Sequence, residues 1–232
     1  RYTVVVDGLP LVDGNTDSHV FSFTTRALEE GELEPIGTRE MLRRQGYNIF
    51  IGSFAALASY ALFHMVTIFP LSWISFNESQ SIHDVLGVQL AGAVLAVFGT
   101  IASGWIADRI GKRTTVALLA CLIGVFALFT PMLLDGSAIQ QDAFILIGFA
   151  LLGVSYGQAA GTVTTNFERR FRYTGAALTS DFAWLFGAAF APLVALGLSA
   201  NFGLAYVSVY LLSGVVCTLL ALRINKSLEA SD

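Results

Sequence analysis

The sequence predicts an all-α, polytopic membrane protein built on six transmembrane helices, and three observations carry that prediction. Charged residues are 13% of the 232-residue chain and hydrophobic residues 55%, whereas a soluble domain carries roughly 25% charged residues. Six apolar runs, Ile49–Ile74, Val85–Ala107, Thr114–Leu134, Ala143–Thr165, Ala176–Ala200 and Gly203–Ile224, each match the length of about 20 residues that crosses a bilayer as a helix. A soluble protein of this size could bury one such helix, not six. Finally, the basic residues fall in alternate connections. Arg39, Arg43 and Arg44 precede the first run. Arg109, Lys112 and Arg113 lie between the second and third, Arg169, Arg170 and Arg172 between the fourth and fifth, and Arg223 and Lys226 at the end of the sixth and just beyond it. The opposite connections hold Glu78, Asp84, Asp135 and Asp142 and no Lys or Arg. By the positive-inside rule both ends of the bundle face the cytoplasm.

Residues 1–25 are left unplaced. Tyr2–Val6 and Leu9–Val12 flank Asp7-Gly8 in a pattern compatible with a small hairpin, and Asp13, Asn15, Asp17 and Ser18 read as a loop. Neither apolar run can span a membrane. The opening on Arg1 rather than Met points to a fragment or a processed product. Residues 26–47 form a polar cytoplasmic linker. Within it Gly37-Thr38-Arg39-Glu40 reads as a helix start with Thr38 as N-cap. Met41 and Leu42 would face lipid while Arg39, Arg43 and Arg44 meet headgroups, which describes a short interfacial helix. Residues 48–226 are the six-helix bundle and 227–232 a cytoplasmic tail. Pro70, Pro131 and Pro192 lie near run ends or inside them, where membrane helices tolerate kinks. Cys121 and Cys217 lie in separate apolar runs and read as small buried hydrophobes, with no disulfide and no metal site expected. Nothing in the charge pattern reads as a nucleic-acid surface.

The connection Gly104-Trp105-Ile106-Ala107-Asp108-Arg109-Ile110-Gly111-Lys112-Arg113 joins the second and third runs so tightly that they must form a hairpin. Gly104 would let a neighbouring backbone approach, and Gly111 would permit a turn that a Cβ strains. Asp108 is too short to reach far towards water, so it calls for a donor such as the N-terminal end of another helix. Arg109, Lys112 and Arg113 can snorkel to lipid phosphates.

The ordering Gly-x-x-x-Asp-Arg-x-Gly-Lys-Arg resembles the loop signature of the major facilitator superfamily, the twelve-helix secondary transporters, in which it follows the second helix of each six-helix half. Phe167-Glu168-Arg169-Arg170-Phe171-Arg172-Tyr173-Thr174-Gly175 resembles the stretch before the eleventh helix of the metabolite:proton symporter branch. Phe63-His64-Met65-Val66-Thr67 and Gln89-Leu90-Ala91-Gly92 are similar to its seventh and eighth helices. The resemblance covers roughly Arg26 to Lys226. It implies the C-terminal six-helix half of a transporter that moves an organic acid or osmolyte together with a proton. An N-terminal half, the lipid bilayer and a small-molecule substrate would be its partners, with no cofactor, in a bacterial inner membrane. Four positions depart from the family pattern: Glu168 replaces a Pro, Thr165 a frequent Glu, Asp181 a frequent Asn and His64 an aromatic residue.

Ionisable groups inside spans are costly, which makes Asp181 and His64 the candidates for carrying the coupled proton. His64 lies near the middle of the first run and has an imidazole able to titrate near physiological pH; donation to a backbone carbonyl is its plainer role. Asp181 lies about 9 Å into a helix counted from Gly175, or else caps a helix that starts there. Gln89, Tyr156, Gln158 and Trp184 are candidates for lining the substrate pathway. Gly153, Gly157 and Gly161 fall on one helix face and fit close helix packing or a face that slides during transport. The chain is not expected to be an enzyme. A six-helix intramembrane protease would need a Ser in a Gly-x-Ser-Gly-like turn, and Ala102-Ser103-Gly104 lacks the leading Gly. A non-transporting remnant or assembly module is the other alternative.

Overall fold

The structure is a computed structural model and describes residues 2–10, 16–23, 38–77, 79–164, 167 and 171–224. The chain divides into two units, Arg1–Ile36 and Gly37–Asp232.

In the first unit β1 (Tyr2–Pro10) pairs antiparallel with β2 (Thr16–Phe23). This is a hairpin, but not the one the sequence suggested: Tyr2–Val6 and Leu9–Pro10 lie in the same strand instead of pairing with each other. Val6 faces His19 and Leu9 faces Asp17, so β1 carries one residue more than β2 across Asp7-Gly8. That dipeptide is therefore an irregularity within a strand, the place where a Gly is tolerated, and not the turn. Asp17 and Ser18 belong to β2 rather than to a loop. Val12, Asp13 and Asn15 lie outside the described residues.

The all-α class holds for the second unit, whose helices are α1 (Thr38–Ala55), α2 (Leu57–Thr67), α3 (Phe69–Asn77), α4 (Ile82–Ile110), α5 (Lys112–Leu134), α6 (Ala138–Thr164), α7 (Arg172–Trp184), α8 (Ala191–Phe202) and α9 (Leu204–Ile224). Among the described residues six helical stretches are long and apolar enough to cross a membrane: Leu57–Asn77, Ile82–Ile110, Lys112–Leu134, Ala138–Ala159, Tyr173–Phe202 and Leu204–Ile224. They correspond one for one to the six apolar runs.

α1 begins where a helix start was expected, although Thr38 is its first helical residue and not the N-cap, and it does not stop short of the bundle. Met41, Gln45, Ile49 and Ser53, four residues apart, form its buried stripe, and α1 packs against α7 and α9. Met41 is thus fully buried rather than turned to lipid. Arg39, Arg43 and Arg44 are exposed, with Arg44 paired to Glu40 one turn earlier at 3.3 Å.

Two spans are interrupted. The first breaks at Ala56 and again at Ile68. The fifth contains a π-helical turn, Leu185–Ala189, between α7 and α8. Proline explains two of these sites, since Pro70 and Pro192 have no N–H to offer the carbonyls of Val66 and Ala188. Ala56 has neither Pro nor Gly beside it. There the Thr218 hydroxyl of α9 enters the ladder, accepting the Ala58 N–H at 3.0 Å and donating to the Phe54 carbonyl at 3.1 Å. An inserted side chain is a recognised cause of a helix kink.

The core lies between α2, α5, α6 and α9, around Leu62, Val66, Ile123, Phe126, Phe144 and Leu211. α4 packs chiefly on α6 and leaves Leu86, Leu90, Val94, Val97, Phe98 and Ile101 exposed, an apolar outer face suited to lipid. At one end of the bundle Gln141, itself buried, donates to the Leu134 carbonyl at 3.0 Å and to Ser79 at 3.2 Å, and accepts from Gln80 at 2.9 Å. This clamp ties the α3–α4 connection to the α5–α6 connection.

Thr218→Val should leave one N–H and one C=O unpaired at the Ala56 break and lower stability by about 1–3 kcal/mol, while Thr218→Ser retains it. Unfolding of the purified chain in mixed micelles measures both. A Val variant as stable as the parent would show that the bridge contributes nothing.

Candidate functional site

The site begins with how α6 is held. Gly153 and Gly157 press on α4: a Cβ at Gly153 would lie 2.5 Å from the Cα of Ala96, and one at Gly157 2.5 Å from Ser103 Oγ. Gly99 on α4 answers in kind, since its Cβ would lie 3.0 Å from the Val154 nitrogen. Thr100 seals the seam by donating to the Gly153 carbonyl at 3.1 Å. The glycine stripe is therefore close packing, and α4 contributes the matching small residues. Gln158 lies in the same seam, buried, with its amide donating to Ser103 at 3.1 Å, so it faces α4 rather than a cavity. Gly161 carries no described surroundings.

With α6 fixed, Tyr156 meets α2 and α7 in an aromatic cluster. Trp184 is its centre, with ring centroids at 5.1 Å to Phe63, 5.2 Å to Tyr60, 5.8 Å to His64 and 6.5 Å to Tyr156. Each of these rings stands at 67–72° to the indole, the edge-to-face geometry that aromatic quadrupoles favour. Tyr60 is buried, whereas Phe63, His64, Tyr156 and Trp184 are half-buried. Two features admit α7 this closely. A Cβ on Gly187 would lie 3.0 Å from Tyr60 Cβ, and the Gly187 carbonyl, within the π-helical turn, accepts the Tyr210 hydroxyl at 3.1 Å.

Of the predicted site residues, His64, Tyr156 and Trp184 thus come together. Asp181 joins them one turn before Trp184. It lies nine residues after the start of α7 and so is not a helix cap. Its side chain is exposed and within electrostatic reach of Tyr60, whose hydroxyl shares a 2.8 Å hydrogen bond with Ser180. His64 Nδ1 is buried and has no hydrogen-bond partner among the described residues. Gln89 does not join them: its amide donates to the Thr67 carbonyl at 2.7 Å, where α2 gives way to α3. Tyr60 and Ser180 were missed as site residues. The spacing of Tyr60, Phe63 and His64, which puts three rings on one helix face, was the available signal.

The hairpin motif is partly corrected. Gly111 is the whole turn between α4 and α5, at φ 83°, with its N–H on the Ala107 carbonyl, as its position demanded. Gly104 lies against open space, because the close approach to α6 runs through Gly99 and Ser103 instead. Asp108 is exposed, and no described residue donates to it. Arg109 stacks 4.1 Å over the Trp105 ring rather than reaching free into headgroups. Arg113 donates to the Leu222 carbonyl at 3.0 Å, a cation at the C-terminal end of α9 where the helix dipole favours one. Lys112 is half-buried. Cys121 is exposed on α5 and Cys217 half-buried, both as free thiols, so Cys121 is not the buried residue expected. Thr165, Glu168, Arg169, Arg170 and Lys226 lie outside the described residues; Arg172 opens α7, with no description of its side chain.

A bundle of six membrane-spanning helices, with an Asp-Arg-x-Gly-Lys-Arg hairpin after the second and polar groups gathered between the first, fourth and fifth, has the makings of half a secondary transporter. The family model described as Major Facilitator Superfamily matches residues 15–184, and the chain belongs to that superfamily. It is 30% identical over 228 residues, 96% of its length, to the inner membrane metabolite transport protein YhjE of Escherichia coli K12. To one putative metabolite transport protein of Haemophilus influenzae it is 28% identical over 93% of its length, and to another 32% identical over 75%. The chain covers 51% of each of the first two relatives and 41% of the third, so it spans about half the length of the curated relatives it matches. No solved structure matches.

Gly153→Ala should force α6 away from the Ala96 backbone and cost about 1–3 kcal/mol, as overpacking does. Gly197→Ala, with nothing within 4 Å of its added Cβ, should be neutral or stabilising by up to about 1 kcal/mol. The same unfolding measurement ranks the two, and equal stability would remove the seam from the account of the fold.

Proposed function

We propose that this chain forms the C-terminal half of a proton-coupled secondary transporter for a small polar metabolite, an organic acid or osmolyte, in a bacterial inner membrane. The observation that carries the reading is the convergence of rings from α2, α6 and α7 beside Asp181. It is the kind of polar-edged, half-open surface that a substrate site at the interface of two repeats requires. An N-terminal half would supply the opposite wall. Membership of the superfamily and relatives named as metabolite transport proteins support the same reading.

Asp181 carries the coupled proton in this scheme, with His64 the second candidate. The helical position of Asp181 and its nearness to Tyr60 support a role in the pathway. Asp108, Arg109, Lys112 and Arg113 with Gly104 and Gly111 form the cytoplasmic hairpin, and Arg170 and Arg172 belong to the next cytoplasmic connection.

Two experiments test this. Single cysteines at Lys112 and Ser137, in a background lacking Cys121 and Cys217, should label with an impermeant thiol reagent from the cytoplasmic and the opposite side respectively. Labelling of Ser137→Cys from the cytoplasm alone would invert the topology. In proteoliposomes holding the complete transporter, a pH difference of one unit can drive about tenfold accumulation of a singly coupled substrate. Asp181→Asn, which cannot titrate, should lose that accumulation and keep substrate exchange. Unchanged accumulation would move the coupling to His64 or to the other half, and a complete transporter moving no metabolite would refute the transport reading.

A further inference from the structure

Resting on the transport reading above, the charge distribution around the aromatic cluster selects a substrate class. Four rings of it, Phe63, His64, Tyr156 and Trp184, are only half-buried, and the indole meets the other three at steep angles rather than face to face. A π face attracts a cation, most strongly when water is excluded. Asp181, one helical turn from Trp184 and exposed, adds a carboxylate.

The interiors of the spans carry no Lys or Arg that could offer an anion comparable help. All thirteen Lys and Arg residues fall outside 45–108, 114–168 and 173–222. The nearest one along the helix to Trp184 is Arg172, twelve residues away, about 18 Å at helical rise. A dicarboxylate placed on these rings would meet quadrupoles and, until Asp181 takes up its proton, a carboxylate of its own sign, with no Lys or Arg in the interiors of the spans. A methylated ammonium group would meet attraction from both. We infer that the cluster centred on Trp184 is a binding surface for a quaternary or tertiary ammonium group, and that the transported metabolite is a cationic or zwitterionic osmolyte rather than an organic dianion.

The chain has three tryptophans, so Trp73→Phe with Trp105→Phe leaves Trp184 as the sole indole reporter. In detergent micelles at constant ionic strength, tetramethylammonium chloride should shift its emission saturably. tert-Butanol, which presents the same methyl groups without the charge, should not, nor should malate. Tyr156→Leu should weaken tetramethylammonium binding about five- to thirtyfold, the range of a desolvated cation–π contact. Tyr156→Phe keeps the ring and should keep the affinity, which separates loss of the π face from loss of fold.

A saturable response to malate but not to tetramethylammonium would overturn the assignment and leave the transport reading standing. A response to tert-butanol equal to that of tetramethylammonium would reduce the site to an apolar patch, and no response to any probe would also overturn it. The readout is binding and not flux. Ammonium binding without uptake by the complete transporter would therefore sink the transport reading and spare the site.

Discussion

A helix in lipid has no water to satisfy a backbone group that leaves the ladder, and the interior of this bundle is arranged around that constraint. Among the described residues it departs from regular helix at three places in its spans, and each departure is met by a polar side chain from another span. Thr218 bridges the break at Ala56, Gln89 reaches the Thr67 carbonyl beside Ile68, and Tyr210 donates to Gly187 in the π-helical turn. Polar residues in apolar runs are therefore not all pathway residues; several are committed to backbone. Among the described residues His64 and Asp181 are ionisable groups in the spans that are not spent this way.

The departures also shape the site. The π-helical turn follows directly after Trp184, and Gly187 within it lets α7 and α8 lie against Tyr60. π-Helical turns recur at functional sites because they re-aim the residues around them. On the far side of the cluster, α6 is fixed by the seam of Gly153 and Gly157 on α4, which sets the height at which Tyr156 meets the indole. Small residues thus do the positioning while large rings supply the surface.

How much of this was legible in the sequence depends on whether the cause was local. Span number, the tight hairpin and the turn at Gly111 follow from run length and from a backbone conformation that favours glycine, and all three stand in the structure. Met41 was misread because α1 packs on α7 and α9 far along the chain, and Gly104 because the close approach to α6 runs through Gly99 and Ser103 instead; no local pattern encodes either. The first hairpin was misplaced, since the irregularity at Asp7-Gly8 mimics a turn signal and the true partner strand, Thr16–Phe23, was read as loop at its start. Within the candidate site, His64, Tyr156, Trp184 and Asp181 could be named singly. Their convergence on Trp184 could not be, nor could the place of Tyr60 at its base, because both depend on how three spans pack.

The Thr218 bridge also has a consequence for assembly. Ala58 and Thr218 are 160 residues apart, and Phe54 and Thr218 are 164 apart. Synthesis makes the first of the six spans long before the ninth helix that completes it. Until α9 arrives, the groups around Ala56 lack their hydroxyl, and an unbroken helix from α1 into α2 is the arrangement that satisfies them within one segment. The bend in the first span is thus set by a span made much later in synthesis. Completion of the bundle and bending of its entrance helix are one event.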